Sequence, residues 1–238
     1  MSSQHAVIIG GSSGIGLATA RTLLARGFKV TITGRDEKKL KAAKASLTGE
    51  VAALAVDAAD TANVPAVFKR VGGLDHLILA LGSGKGVGPF ATMPIDDVHQ
   101  GFVEKVLPHF ACAQAALPAM AKHGSITFIS AVTAHAAMPG TSGIGAANAA
   151  VAALVPILAA ELKPLRVNGV SPGIIDTPWW DFLPADQKSA AFAGYAGKTP
   201  VGRVGTPDDI AQAIAFLIAD SFMSGQTIIC DGGLGLGS

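Results

Sequence analysis

The stretch Val7-Ile8-Ile9-Gly10-Gly11-Ser12-Ser13-Gly14-Ile15-Gly16 carries the clearest chemical signal in the chain. A short apolar run, Ala6 to Ile9, stops at a glycine cluster spaced Gly10-x-x-x-Gly14-x-Gly16. Behind it, Ile15, Leu17, Ala18, Leu23 and Leu24 recur at helical spacing. Glycines allow tight backbone dihedrals and let a ligand approach the main chain closely. The free amides at the start of a helix favour an anion such as a pyrophosphate. The spacing is not the commoner G-x-G-x-x-G, and a glycine triplet alone also fits a plain turn. An apolar strand before it and a helix after it favour a nucleotide site at Gly10, Ser12, Ser13, Gly14, Ile15 and Gly16.

That site needs a scaffold, and the rest of the chain supplies one. The protein has 238 residues, half of them hydrophobic and 15% charged, enough for one large α/β domain with a sizeable core. Mean hydropathy is +0.45. Net charge is +1 without a basic run, which argues against a nucleic-acid surface. Cys112 and Cys230 lie far apart and suggest neither a metal site nor a disulfide framework. Charged and glycine-rich sequence follows Ile9 almost at once, so no secretory signal is expected. The apolar region Ala146 to Ala160 is too short for a bilayer and contains Asn148 and Pro156. It reads as a core or subunit-interface helix, in a soluble cytoplasmic protein.

Strands are expected at Ala6–Ile9, Phe28–Thr33, Val51–Val56, Leu74–Leu81, Ser125–Ile129, Leu165–Val170 and Thr227–Cys230. Between them the pattern predicts helices over Glu37–Leu47, Thr61–Val71, Asp96–His123 (interrupted by Pro108 and Pro118) and Ser142–Leu162. Thr206-Pro207-Asp208-Asp209 starts a last helix, with threonine as N-cap, proline in the first turn and acids at the positive end. A Trp- and Pro-containing excursion occupies 177–204. About seven alternations of strand and helix predict one domain over 1–238, a Rossmann-like, doubly wound parallel sheet with helices on both faces. In such a sheet the turns after Ile9, Thr33, Val56, Leu81, Ile129 and Val170 share the ligand face.

These turns together resemble the short-chain dehydrogenase/reductase family over essentially the whole chain. The glycine turn is similar to the family's cofactor loop, with Ile9 where threonine is common. Asp57 matches the acid that contacts adenine, and Gly82 closes the segment after the fourth strand. Pro172-Gly173-Ile174-Ile175-Asp176-Thr177 resembles the segment whose backbone and threonine hold the nicotinamide amide, which implicates Pro172, Gly173, Ile175 and Thr177. Gly225 to Gly233 is similar to the terminal strand. The second strand ends Thr33-Gly34-Arg35 where an acid would bind ribose hydroxyls; an arginine instead pairs with a 2′-phosphate, so NADP(H) is expected over NAD(H).

The family's chemistry does not carry over with its cofactor loop. Its members use a tyrosine, a lysine four residues later, a serine and an asparagine. The resemblance puts Ile144, Asn148, Ala131 and Lys105 at those positions, in that order. The chain's one tyrosine is Tyr195, in the excursion. Asn148 can still bond a ribose but carries no charge to depress a neighbour's pKa. Other groups near the ligand face are Ser130, Thr133 and His135, the last a residue type that titrates near neutrality. Lys105 either serves as an acid with a lowered pKa or snorkels to solvent. Trp179, Trp180 and Tyr195 are expected to shape an apolar pocket, and His109 and Cys112 to pack.

The resulting expectation is an atypical NADP(H)-dependent oxidoreductase for a small, apolar carbonyl or alcohol, with His135 or Lys105 in a non-standard proton relay. The alternatives are an NADP(H)-binding sensor or assembly subunit without catalysis, or a non-redox enzyme on the same scaffold. No nucleic-acid, membrane or metal partner is expected. The apolar helices Phe102–Ala121 and Ser142–Ala160 are expected to pair with their copies in a homodimer or homotetramer.

Overall fold

The computed structural model describes residues 3–237. Seven strands form one parallel sheet: β1 (His5–Ile9), β2 (Lys29–Gly34), β3 (Val51–Ala55), β4 (Leu74–Leu79), β5 (Met120–Ile129), β6 (Arg166–Pro172) and β7 (Thr227–Cys230). Their order is β3-β2-β1-β4-β5-β6-β7. The chain therefore runs outward from β1 to β3, returns across the sheet to β4, and runs outward again. The reversal leaves a crevice above the carboxyl ends of β1 and β4, where such sheets take ligands.

Side chains alternate across each strand, and β1 shows the result. Ala6 and Ile8 face one core, with α1 (Gly14–Ala25), α2 (Glu37–Ala45) and α8 (Pro207–Ala219) over them. Val7 and Ile9 face the other, covered by α3 (Val64–Val71), α5 (Leu107–Ala116) and α6 (Ser142–Glu161). Both faces being covered, the central strands are mostly apolar, with buried polar residues such as His76 and Ser125 bonded to each other. The predicted cap of α8 is present: Thr206 Oγ1 accepts from the Asp209 N–H, and the Asp209 carboxylate accepts from the Thr206 N–H.

Four expectations need correction. The helical reading of Asp96–His123 holds through Pro108 and fails past Pro118. It resolves into α4 (Ile95–Gly101), a π-helical turn (Phe102–Val106), α5 and a 3-10 turn (Leu117–Ala119). β5 then begins at Met120, because Pro118 cannot donate to the preceding turn and the chain leaves the helix as extended backbone. The extra residues are absorbed by a register shift between the Leu74–Met120 and His76–Ser125 pairs. The fourth strand stops at Leu79, and residues 80–82 run on as the turn that lines the crevice. The excursion contains a helix of its own, α7 (Ala185–Lys198).

The last correction concerns α6, which spans 20 residues and is long and apolar enough to cross a membrane by length and composition. Its face of Gly143, Ala147, Asn148, Val151 and Val155 is instead buried against the sheet.

Candidate functional site

The glycine turn is held by the ends of its neighbours. The Gly11 N–H donates to Thr33 O (2.8 Å) and the Ala80 N–H to Ile9 O (2.9 Å). Gly10 has φ +87°, and a Cβ there would strike the Ala80 carbonyl; a Cβ on Gly16 would strike the carbonyl of Gly10. The turn is thus folded too tightly for side chains at these two positions. Ser13 takes the N-cap position of α1 with extended backbone, and its side chain makes no cap bond. The first-turn amides of α1 are left to an anion.

Around this turn lies a cleft lined by Gly10, Ser12, Ser13, Arg35, Asp57 and Gly82, six of the residues singled out by sequence, gathered from the ends of four strands. Arg35 is exposed at its rim. Its neighbour Asp36 is turned away: its Oδ1 accepts from the N–H groups of Lys38 and Lys39 and caps α2. Asp57 is exposed, and its Oδ1 accepts from the Ala59 N–H at 3.0 Å. Ile15 and Gly16 follow in the first turn of α1.

The Pro172–Thr177 segment leaves the end of β6 beside β7, where the Gly173 N–H donates to Cys230 O. Ile175 turns its side chain into the core and bridges Gly205, so only its backbone is offered to a ligand. Its carbonyl accepts from Trp180 Nε1 (3.1 Å). Thr177 packs over Gly14, and Trp179 Nε1 donates to Ser83 O (3.0 Å). The excursion is therefore strapped across the crevice from the glycine turn to the loop after β4. Trp179, Trp180, Phe182, Phe192 and Tyr195 stack edge-on and tilted into one aromatic cluster, with the Tyr195 ring 6.0 Å from Trp180.

At the catalytic end, Lys105 does not snorkel. Its side chain is buried within the π-helical turn, and Nζ donates to Leu81 O (3.1 Å) and Ile129 O (3.3 Å), just past β4 and at the end of β5. Desolvation lowers its pKa from 10.5 to about 8. Burial, with the Lys105 ammonium second, pushes His109 down to about 3, so its ring is a neutral packing group between the Lys105 and Leu79 carbonyls. Cys112 is buried, its thiol pushed up to about 12 by desolvation.

Asn148 is buried on α6, its Nδ2 donating to Thr133 Oγ1 (2.9 Å) and its Oδ1 without a partner. One of its two amide N–H groups is therefore given to Thr133, and its unpartnered Oδ1 is left as an acceptor. Ser130 is buried with its hydroxyl toward Val170 O, away from the cleft. Ala131 and Ile144 bring no polar group to their positions. His135 is exposed after the 3-10 turn Val132–Ala134, apart from the buried Lys105.

Two cleft residues escaped the sequence reading. Glu104 lines the cleft and accepts from Ser83 Oγ at 2.7 Å and Gln100 Nε2 at 3.1 Å. The available signal was an acid beside Lys105 in an otherwise apolar helical stretch. Thr33 also lines the cleft, and its hydroxyl is wholly buried without a partner.

Residues 10–235 match the family model described as enoyl-(acyl carrier protein) reductase. The chain is 34% identical to cis-4-hydroxycyclohexanecarboxylate dehydrogenase of Sinomonas cyclohexanicum, over 96% of this chain and 95% of that one. It is 31% identical to 3-oxoacyl-(acyl-carrier-protein) reductase of Rickettsia bellii, covering 98% of each. Among solved structures, a small-chain dehydrogenase in complex with NADPH superposes with a TM-score of 0.87 at 31% identity, covering 99% of this chain and 100% of that one.

Proposed function

Because the chain belongs to the short-chain dehydrogenase/reductase family of oxidoreductases, we propose that it is an NADP(H)-dependent oxidoreductase for a small, apolar carbonyl or alcohol, with a proton relay built without tyrosine. The observation that carries this reading is one cleft that gathers the glycine turn and Arg35, with the Lys105 ammonium bonded to the carbonyl of Leu81 in its lining. Arg35 stands at the rim beside the ribose position, and the buried Lys105 ammonium holds the ends of β4 and β5 together.

The residues fit the dinucleotide. The uncapped amides of α1 and the tight turn at Gly10 and Gly16 suit a pyrophosphate, and Arg35 suits a 2′-phosphate. Pro172, Gly173, the Ile175 backbone and Thr177 face the nicotinamide end, and Asn148 Oδ1 is placed to accept from a ribose hydroxyl. When bound, NADPH supplies a hydride. Lys105 keeps its charge at neutral pH and stabilises the oxygen on which negative charge develops, and with a pKa of about 8 it can give up a proton there. His135 is the second candidate donor, reaching the site from the solvent side. Trp179, Trp180 and Tyr195 shape the apolar wall that takes the substrate. The exposed Leu107, Phe110 and Ile157 on α5 and α6 support pairing of this cytoplasmic protein with its own copies.

A second reading, dinucleotide binding without turnover, draws on Ala131 and Ile144, which supply no acid, and on Tyr195, which is engaged in the aromatic cluster. Titrating the purified protein with NADPH and NADH, then following absorbance against a panel of carbonyls, quinones and imines, separates the two. Tighter NADPH binding with turnover supports the enzyme; binding without turnover above background leaves the binder.

A further inference from the structure

The ionisable residues lining the cleft are Arg35, Asp57 and Glu104, one cation against two acids. For a ligand that brings a pyrophosphate this is an unfavourable balance, unless each acid meets a hydrogen-bond donor. The phosphates belong at the first-turn amides of α1, and the 2′-position belongs to Arg35. The carboxamide end lies under the 172–177 segment, outside this lining. The adenosine 3′-hydroxyl goes with the 2′-position to Arg35, and the donor left for carboxylates farther along the cleft is the exocyclic amine of the base, which carries two N–H groups.

The two acids come from different elements, Asp57 from the turn after β3 and Glu104 from the π-helical turn above β4. Each is already aimed by a bond of its own. The Ala59 N–H fixes Asp57 Oδ1, while the Ser83 hydroxyl and Gln100 fix the two oxygens of Glu104. A carboxylate has about four lone-pair sites, so both acids keep acceptor capacity for a ligand.

The geometry points to Glu104 as a specificity-determining residue that acts with Asp57 to select adenine through its amine. This rests on the dinucleotide reading above and assigns Glu104 no part in proton transfer. Hypoxanthine is the discriminating base, because it replaces the amine by a carbonyl and would set an acceptor against two acceptors.

The test is fluorescence titration with NADPH and with reduced nicotinamide hypoxanthine dinucleotide phosphate. The wild type is expected to bind NADPH tighter by roughly tenfold or more, the scale of an unmet hydrogen bond. Glu104→Gln, whose amide can donate to a carbonyl, should erase most of that preference by tightening the hypoxanthine analogue and weakening NADPH. Glu104→Asp should retain part of it, and matching circular dichroism confirms that both variants fold. Equal binding of the two nucleotides by the wild type, or a preference that survives Glu104→Gln, overturns the inference and leaves the cofactor reading standing. Failure of the wild type to bind either nucleotide overturns both.

Discussion

The two ends of the cleft are built from different materials. At the glycine-turn end, binding is written in backbone: a positive φ at Gly10, a close approach at Gly16, uncapped amides at the start of α1. At the β5–α6 end the candidate groups are side chains, Lys105 and Asn148, held by bonds to Leu81, Ile129 and Thr133. A backbone site tolerates few substitutions, because a single methyl closes the turn. A side-chain site can be exchanged residue by residue while the fold beneath it persists. Under the proposed function, cofactor binding and catalysis are therefore separable properties of this scaffold.

The sharpest way to break this contrast is at Lys105. Lys105→Met should lower turnover on the order of 10²–10⁴-fold, the contribution of a positioned acid, while NADPH affinity in a titration stays unchanged. A matching loss of affinity would show that the two ends are not separable. The same substitution has a signature in stability. With a folded pKa of about 8 against 10.5 unfolded, the folded chain releases its proton first as pH rises. The unfolded chain then holds the extra proton, so stability should rise between those two values by about 3 kcal/mol. Urea unfolding across that window should show the rise in the wild type and lose it in Lys105→Met.

At the other end, Gly16→Ala should weaken NADPH binding by roughly a hundredfold, since its Cβ meets the Gly10 carbonyl and the turn must open; isothermal titration checks it. Arg35→Ser should cost about tenfold in NADPH affinity and leave NADH nearly untouched, which narrows the contrast to one charge. The smallest effect is expected from His135→Ala. An exposed turn residue should change thermal stability by no more than about 0.5 kcal/mol, and turnover less than Lys105→Met does.

The same contrast explains what could be read beforehand. The alternation of apolar strands and helices marked out the sheet and the order of its turns, because burial on both faces leaves its mark in every strand from Ala6 to Ile129. The glycine turn and Arg35 were legible for the same reason: local spacing or strand position specifies them. The start of β5 at Met120 was not, since Met120 to His123 continue the composition of the preceding helix and only pairing with Leu74 makes them a strand. Nor was the state of Lys105 legible. Whether a lysine on an apolar helix reaches solvent depends on which carbonyls the sheet presents to it, here those of Leu81 and Ile129. Glu104 was missed because its role depends on Ser83, 21 residues away in the chain. The bond from Asn148 to Thr133 was likewise not legible, since the two meet only once α6 packs beside the turn after β5.

The strap from Thr177 to Trp179 also sets a schedule. With the dinucleotide of the proposed function beneath the strap, a substrate would lie between the nicotinamide and the aromatic cluster. Under the proposed function the dinucleotide would enter first and leave last, and its release would break the Trp179–Ser83 bond. Kinetics should follow a compulsory order, with the oxidised dinucleotide competing only against its reduced form.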